Sequence, residues 1–543
     1  MESTFDYIVI GAGSSGAVIA ARLSEDPACR VLLLEAGGPN RHPLQLMPLA
    51  FPRVALGSIG TWQFASEPEP ALDGRSLGIP RGRTLGGTSS INAMIAVRGN
   101  RLDFDGWAAR QLPGWSYEDV LPYFKRTENH WSGDGPYHAT GGPVGITRMT
   151  GPDLLWEAHR DAALAAGIPL NEDPNGAEQD GISRMESTVA GGRRASSARA
   201  YLAPAMGRPN LTVATGALVN RVVLAGTRAV AVEYTRKGQS HRATASAEIV
   251  LSAGAYGSPQ ILMLSGIGDP EELRTAGVEP HHALPGVGND LADHPVVINE
   301  WDLKGDHGLT RHLRLDRAAL AAARWFANGS GPFANTGTLA NIFTRMRPDA
   351  DRPDVQMMCL PMSGDARLWF PGMGKPISRL SVRTGYLPLK SRGWVKLASS
   401  DPRAAPRIFL NMFSAPDDMV GMVESIRLTR RIYEQKPLAD LIARENLPGA
   451  GHDSDEALTA FVRRTATHRA HPGCSCRMGT DAGAVVDAQL RVHGIEGLRV
   501  ADASIMPSLP RGNPNLSCMM IGEKCADLLR GRSIGGASLT EGN

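Results

Sequence analysis

Two groups of residues in this chain have types and spacings that suit chemistry. The first is glycine-rich. Gly11, Gly13 and Gly16 follow the apolar run Phe5–Ile10 and precede AVIAARLSE, whose apolar residues recur at helical spacing. Gly11 allows a tight turn, Gly13 lets backbone approach a pyrophosphate, and Gly16 lets the helix pack close to the strand. The helix N-terminus then offers free N–H groups and a positive dipole to phosphates. RVLLLEAGG reads as a second buried strand ending at Glu35, 19 residues after Gly16. An acid there accepts hydrogen bonds from an adenosine ribose and disfavours a 2′-phosphate. The bland reading is a small-residue contact between helix and strand. With strand, helix and acid all in place, a dinucleotide site is the better one. The motif alone does not separate NAD from FAD.

The second group is the segment His468–Gly479, HRAHPGCSCRMG. His468, His471, Cys474 and Cys476 have the composition of a zinc site, but the C-x-C arm is tighter than structural zinc sites use. The other reading makes His471 an active-site base, since an imidazole titrates near neutral pH. Further on, Leu498–Leu529 reads as a short strand, a loop rich in glycine, proline and asparagine, and a helix from about Asn515. Asn513, Pro514 and Asn515 stand at that helix start, suited to capping or to ligand contact. G-x-S-x-G at Gly531, Ser533 and Gly535 lacks the strand and helix of a hydrolase elbow and reads as chance.

The elements that must position these groups follow from the rest of the chain. Gly82–Asn92, GRTLGGTSSIN, suits a loop wrapping a polar ligand. Ser252–Gly268, SAGAYGSPQILMLSGIG, reads as a strand end, a glycine turn, a proline at a helix start, an amphipathic helix and a glycine stop. Residues 208–255 are rich in strand-like runs. Residues 300–465 have a different texture, with longer helical patterns such as Pro416–Gln435. No Gly/Ser linker and no repeat divides the chain, so two interleaved domains are expected.

Composition narrows the function classes. The chain has 543 residues, 42% of them apolar and 21% charged, enough for a sizeable core. Its net charge of +2 gives no electrostatic reason to expect nucleic acid, and aromatic residues at 6% are too few for base-stacking platforms. No run approaches the roughly 18 apolar residues of a membrane helix, so no integral membrane segment is expected. Six cysteines are too sparse for a disulfide scaffold. The N-terminus lacks a basic region followed by an apolar stretch and a cleavage site. A cytoplasmic protein with reduced thiols is the expectation.

Taken in order and at these spacings, the glycine fingerprint, GRTLGGTSSIN, SAGAYGSPQILMLSGIG, HPGCSCRMG, ADASIMP and GNPNL resemble the glucose–methanol–choline (GMC) flavoprotein oxidoreductases over about residues 5–530. GRTLGGTSSIN and NPNLSCMMIGEKCADL look most like the choline oxidase and choline dehydrogenase branch, and Pro285–His294 looks like that group's interdomain loop. The resemblance implies an α/β fold in which a Rossmann-like FAD-binding domain (1–154, 208–297 and 466–534) interleaves with a substrate-binding domain (155–207 and 298–465) built on an antiparallel sheet with helices. Residues 535–543 are expected to form a flexible tail.

It also implies FAD, and oxidation of a primary alcohol to an aldehyde by hydride transfer to flavin N5. His471 would be the base and Asn513 the holder of the hydroxyl oxygen. Cofactor contacts carried over are Gly11, Gly13, Ser14, Ser15, Gly16, Glu35, Ala36, Arg83, Gly87, Ser90, Asn92, Ala93, Val219, Ala253, Asp502, Ala503, Asn513 and Pro514. His468, Arg469 and Ala470 fall at the substrate pocket, and no metal is expected. Two departures matter. Gly473-Cys474-Ser475 stands where the family pattern has x-Gly-Thr. Ile91 stands where some choline-oxidising relatives carry a histidine bonded to the flavin, so the FAD is expected to be non-covalent. The electron acceptor would be O2 or a quinone. Choline oxidation is the nearer alternative, and a flavin-containing hydroxynitrile lyase on the same fold the further one. The position two before the catalytic histidine tends to face the substrate pocket and is often apolar in relatives; here it is Arg469. If it faces inward, a neutral or anionic alcohol fits better than choline.

Overall fold

A computed structural model describes residues 3–532, apart from 152–154, 364–365, 371, 373 and 375. The expected tail and Ser533 lie outside the described residues.

The first sheet grows from the glycine unit. The strand Ser3–Ile10 lies parallel between Val31–Glu35 and Gln239–Leu251, and Leu211–Thr215 extends it beyond Val31–Glu35. These strands are apolar because helices and loops cover them, and Val31–Glu35 is buried at every position. On the other flank Ala217–Ala225, Arg228–Arg236 and Gln239–Leu251 form an antiparallel meander. The last strand, Leu498–Val500, pairs in parallel with Gln239–Leu251 and carries the C-terminal segment back to the glycine turn.

That turn has no room to spare. Gly11 has φ +95°, and a Cβ on Gly16 would lie 1.9 Å from the Gly11 carbonyl oxygen. The helix Gly16–Leu23 therefore sits directly on the strand end. The terminal helix Asn515–Leu529 packs against it. Ser14 Oγ donates to Asn515 Oδ1 at 2.9 Å, and Ser15 Oγ to the Cys518 carbonyl at 2.7 Å.

The second sheet is antiparallel throughout, in the order Ile442–Leu447, Pro295–Leu303, Arg379–Tyr386, Val355–Leu360, Ala340–Thr344, Gly181–Arg184. The helix Pro416–Tyr433 covers one face, where Thr384 Oγ1 meets Thr429 Oγ1 at 2.9 Å. Strand alternation turns Arg383 and Gly385 to the other face. Pro295–Leu303 runs through position 297, and Thr467–His468 pairs with its first two residues.

One local expectation is corrected. Pro259 is not at a helix start but inside the helix Gly254–Leu264. Its missing N–H leaves the Ala255 carbonyl without its helical donor. Ser475 Oγ fills that place at 2.5 Å, tying the helix to the GCSCRMG segment. Among the described residues no helix is long and apolar enough to cross a membrane.

Candidate active site

A long cavity runs along the first sheet. Of the expected cofactor residues, Gly11, Gly13, Ser14, Ser15, Glu35, Ala36, Gly87, Val219, Ala253, Asp502 and Ala503 line it. Glu35 pins the turn beside it by accepting from the Ala12 and Gly37 N–H groups at 3.0 and 2.8 Å, while burial pushes its carboxyl up to about 7. Asp502 accepts from Gly254 N, Ser258 Oγ and Ser504 N. Tyr256 also lines the cavity, and its hydroxyl is a buried polar atom without a hydrogen-bond partner among the described residues. Backbone around Gly13 that only 3.9 Å contacts would crowd, a helix N-terminus, and an orphaned hydroxyl all fit an elongated phosphate-bearing cofactor.

The other expected cofactor residues stand back from the cavity wall. Gly16 makes the helix contact. Arg83 stacks over Trp62, itself a wall residue, at 4.1 Å. Ser90 donates to the Leu85 carbonyl, and Asn92 is held by Met94 N and Arg194. Ala93, Asn513 and Pro514 also lie outside the lining.

The histidine centre adjoins the cavity at Pro472, which lines it. Ala292–Val296 and Thr467–Gly473 run together as an antiparallel ribbon, joined by Pro295 to His468 and Ala292 to Gly473. Ala470 at φ 61° reverses the chain within this ribbon. His468 therefore points one way, with Nε2 3.0 Å from the Gly78 carbonyl and Nδ1 receiving the Ala470 N–H at 3.0 Å. His471 points the other way, its N–H donating to Asp293 Oδ1 at 2.9 Å. The Ala470 carbonyl accepts from Arg81 at 3.0 Å. His468 and Ala470 thus serve the backbone of the turn.

A chain of hydrogen bonds fixes the His471 tautomer. Gln356 Nε2 donates to Asn341 Oδ1 and to Asn513 Oδ1, both at 3.0 Å. With its oxygen so occupied, Asn513 turns Nδ2 to His471 Nε2 at 3.0 Å. Nε2 is thereby the acceptor, and the ring proton sits on Nδ1, which faces His294 Nδ1 at 3.4 Å. Burial, followed by the charge of Arg469, holds His471 well below the usual 6.5, and the same two causes bring His294 to about 3. His471 is therefore a neutral imidazole with its Nε2 lone pair directed at Asn513, the state a proton acceptor needs.

Sequence reasoning missed Gln356, Asp293 and His294 in this role. Gln356 lies in the uniformly buried strand VQMMCL and carries no motif. His294 and Asp293 were visible only as the end of the loop PGVGNDLADH. Cys474 and Cys476 are drawn onto Ala503 and Ser504 by backbone bonds, and burial pushes the Cys474 thiol up to about 12. Among the described residues no group of three or more His, Cys, Asp or Glu is arranged to hold a metal ion.

A Rossmann-like sheet with a cofactor cavity, met by an antiparallel sheet over a His/Asn pair, defines a flavin-type oxidoreductase. Family models described as GMC oxidoreductase match residues 5–296 and 390–522. An oxygen-dependent choline dehydrogenase of Klebsiella pneumoniae subsp. pneumoniae is 43% identical over 537 residues, covering 97% of this chain and 96% of that protein. Among solved structures, pyridoxine 4-oxidase of Mesorbium loti superposes with TM-score 0.86 at 30% identity, over 96% of this chain and 98% of its own. A formate oxidase superposes with TM-score 0.89 at 27% identity, over 97% and 98%. The chain belongs to the GMC oxidoreductase family. It is an FAD-dependent oxidoreductase that acts on the CH–OH group of a small-molecule alcohol.

Proposed function

We propose that the reaction centre is the His471/Asn513 pair, and that it converts a primary alcohol to an aldehyde. The observation that carries this reading is the hydrogen-bond chain that leaves His471 Nε2 as an unprotonated acceptor 3.0 Å from Asn513 Nδ2. Bound FAD supplies the two-electron acceptor for the hydride. Gly11, Gly13, Ser14 and Ser15 would receive its phosphates, Glu35 its ribose, and Gly87, Asp502 and Ala503 its ring system. Asn513 orients the alcohol oxygen through its amide. His471 would take the hydroxyl proton at Nε2 as the carbon gives up hydride, so the alcohol loses one hydride and one proton, two electrons and two hydrogens in all, to cofactor and base.

In this reading 1–154, 208–297 and 466–534 carry the cofactor, and 155–207 and 298–465 close the substrate side. Six free cysteines accord with a cytoplasmic, reducing location. The terminal electron acceptor is O2 or a quinone. Choline is the reference substrate, because the curated relatives are named for it. A panel of alcohols tests the proposal, run under air and under argon with an artificial acceptor. Turnover of a primary alcohol supports it. A cyanohydrin cleaved with the flavin left oxidised, and no alcohol used, would overturn it in favour of a lyase.

A further inference from the structure

Beside the histidine centre are two guanidinium groups, Arg469 and Arg383, that form no ion pair among the described residues. The Arg469 N–H donates to the His294 carbonyl at 2.8 Å, which fixes the residue two positions before His471 in the ribbon. Its side chain lies against the open face of the second sheet. A Cβ on Gly385 would stand 2.5 Å from Arg469 NH1 and 3.0 Å from its Cδ, so the side chain occupies the notch that glycine leaves. All three guanidinium nitrogens are buried without a hydrogen-bond partner among the described residues. Arg383 is two residues along the same strand and on the same face. Among the described residues it makes no hydrogen bond or ion pair, and its charge acts on Arg469.

The charge of Asp293 acts on Arg469, but among the described residues no carboxylate forms an ion pair with Arg469 or Arg383. Asp293 accepts from the His471 N–H and stands 3.4 Å from His468 Nδ1. Glu300 shares the Arg383 face but is taken by Arg379 at 3.3 Å, Ser363 at 2.7 Å and Ser381 at 3.3 Å. Across the strands from Arg383 stand Ile298 and Met358, which offer no acceptor. The same face reaches the reaction centre, because Gln356, directly opposite Gly385, donates to Asn513.

A buried guanidinium beside a second, partly exposed one, with no anion in contact, is costly, and a bound anion relieves both at once. We infer that the alcohol oxidised here carries a carboxylate, and that Arg383 and Arg469 hold it while the hydroxyl lies at His471 and Asn513. The inference rests on that pair being the reaction centre. It also sets this chain apart from the relatives named for choline, whose quaternary ammonium would be repelled by the same two arginines.

The test uses the FAD-loaded enzyme and three alcohols of similar size: choline, its neutral tert-butyl analogue, and a short hydroxyalkanoate. The rate of anaerobic flavin reduction is measured as a function of alcohol concentration. The hydroxyalkanoate is expected to exceed the neutral analogue by about 100-fold in kcat/KM, with choline lowest. Arg383→Gln and Arg469→Gln should each shrink the anionic-to-neutral ratio by about 10-fold or more. Calorimetric binding of propanoate, which has no hydroxyl to oxidise, should weaken in parallel. Choline as the best substrate of the parent overturns the inference, and so does a ratio untouched in both variants. The parent's charge order decides even where a variant fails to fold. Propanoate binding separates the two failures: if no alcohol reduces the flavin but propanoate still depends on the arginines, the reaction centre is misassigned and the anion site stands.

Discussion

Asn513 donates its amide N–H to His471 Nε2 at 3.0 Å, and it does so because Gln356 occupies its oxygen from the neighbouring sheet. The orientation of His471 thus depends, through Asn513, on a glutamine of the second sheet. Gln356→Leu removes the donor and frees the Asn513 amide to rotate. Flavin reduction should slow by about 10-fold while FAD content is kept. Asn513→Ala should cost more, and His471→Ala about 10²–10⁴-fold. Rapid-mixing kinetics on the three variants check the order, and Gln356→Leu reducing at the parental rate would break the chain.

Acidification should unfold the protein through its buried neutral histidines. His294 is brought down to about 3 and His159 to about 4, in each case first by burial. A histidine whose folded pKa lies below its unfolded value binds more protons when unfolded. Stability is therefore complete above about pH 6.5 and is lost as pH falls toward the folded values. At about 1.4 kcal/mol per unit, His159 alone accounts for about 3 kcal/mol. His159→Gln, measured by denaturant unfolding at pH 7 and pH 5, should flatten the slope.

The same physics sets the acid limb of activity. With burial first and the charge of Arg469 next holding His471 well below its usual value, the limb in kcat/KM should lie below pH 6.5. Arg469→Gln should move it upward. A parental limb above 6.5 would contradict the neutral-base assignment.

Gly16→Ala should prevent cofactor loading. Its Cβ would meet the Gly11 carbonyl oxygen at 1.9 Å and Ser252 Cβ at 3.0 Å, so the backbone of the turn would have to shift. A loss of at least about 3 kcal/mol is expected, with FAD absent from the purified protein. Thermal unfolding and the absorbance ratio of flavin to protein report both.

Ile91 is buried and offers no nitrogen to the flavin. Acid precipitation should release all the yellow colour into the supernatant, and colour retained with the pellet would show a covalent link.

The glycine unit was legible in the sequence because its constraints are local: Gly16 must be glycine wherever a helix starts this close to a strand, and Glu35 follows at a fixed distance. The histidine pair was legible only through family likeness. His468 and His471 share a spacing that suits a metal, and nothing local reveals that the left-handed Ala470 sends them to opposite sides. Gln356 and Arg383 were invisible for a different reason. Each lies within a strand, and its role comes from cross-strand register, a long-range property that single-chain periodicity does not carry. Pro259 was misjudged because a helical proline usually marks a start, whereas here a distant serine supplies the missing donor.

The central claim is that a neutral His471 accepts the alcohol proton beside bound FAD. It is tested most directly by mixing FAD-loaded parent and His471→Ala anaerobically with a saturating primary alcohol and following loss of the flavin's visible absorbance. The account predicts rapid bleaching in the parent, and bleaching slowed by about 10²–10⁴-fold in a variant that retains full FAD. Equal rates in the two proteins, at equal FAD content, would contradict it.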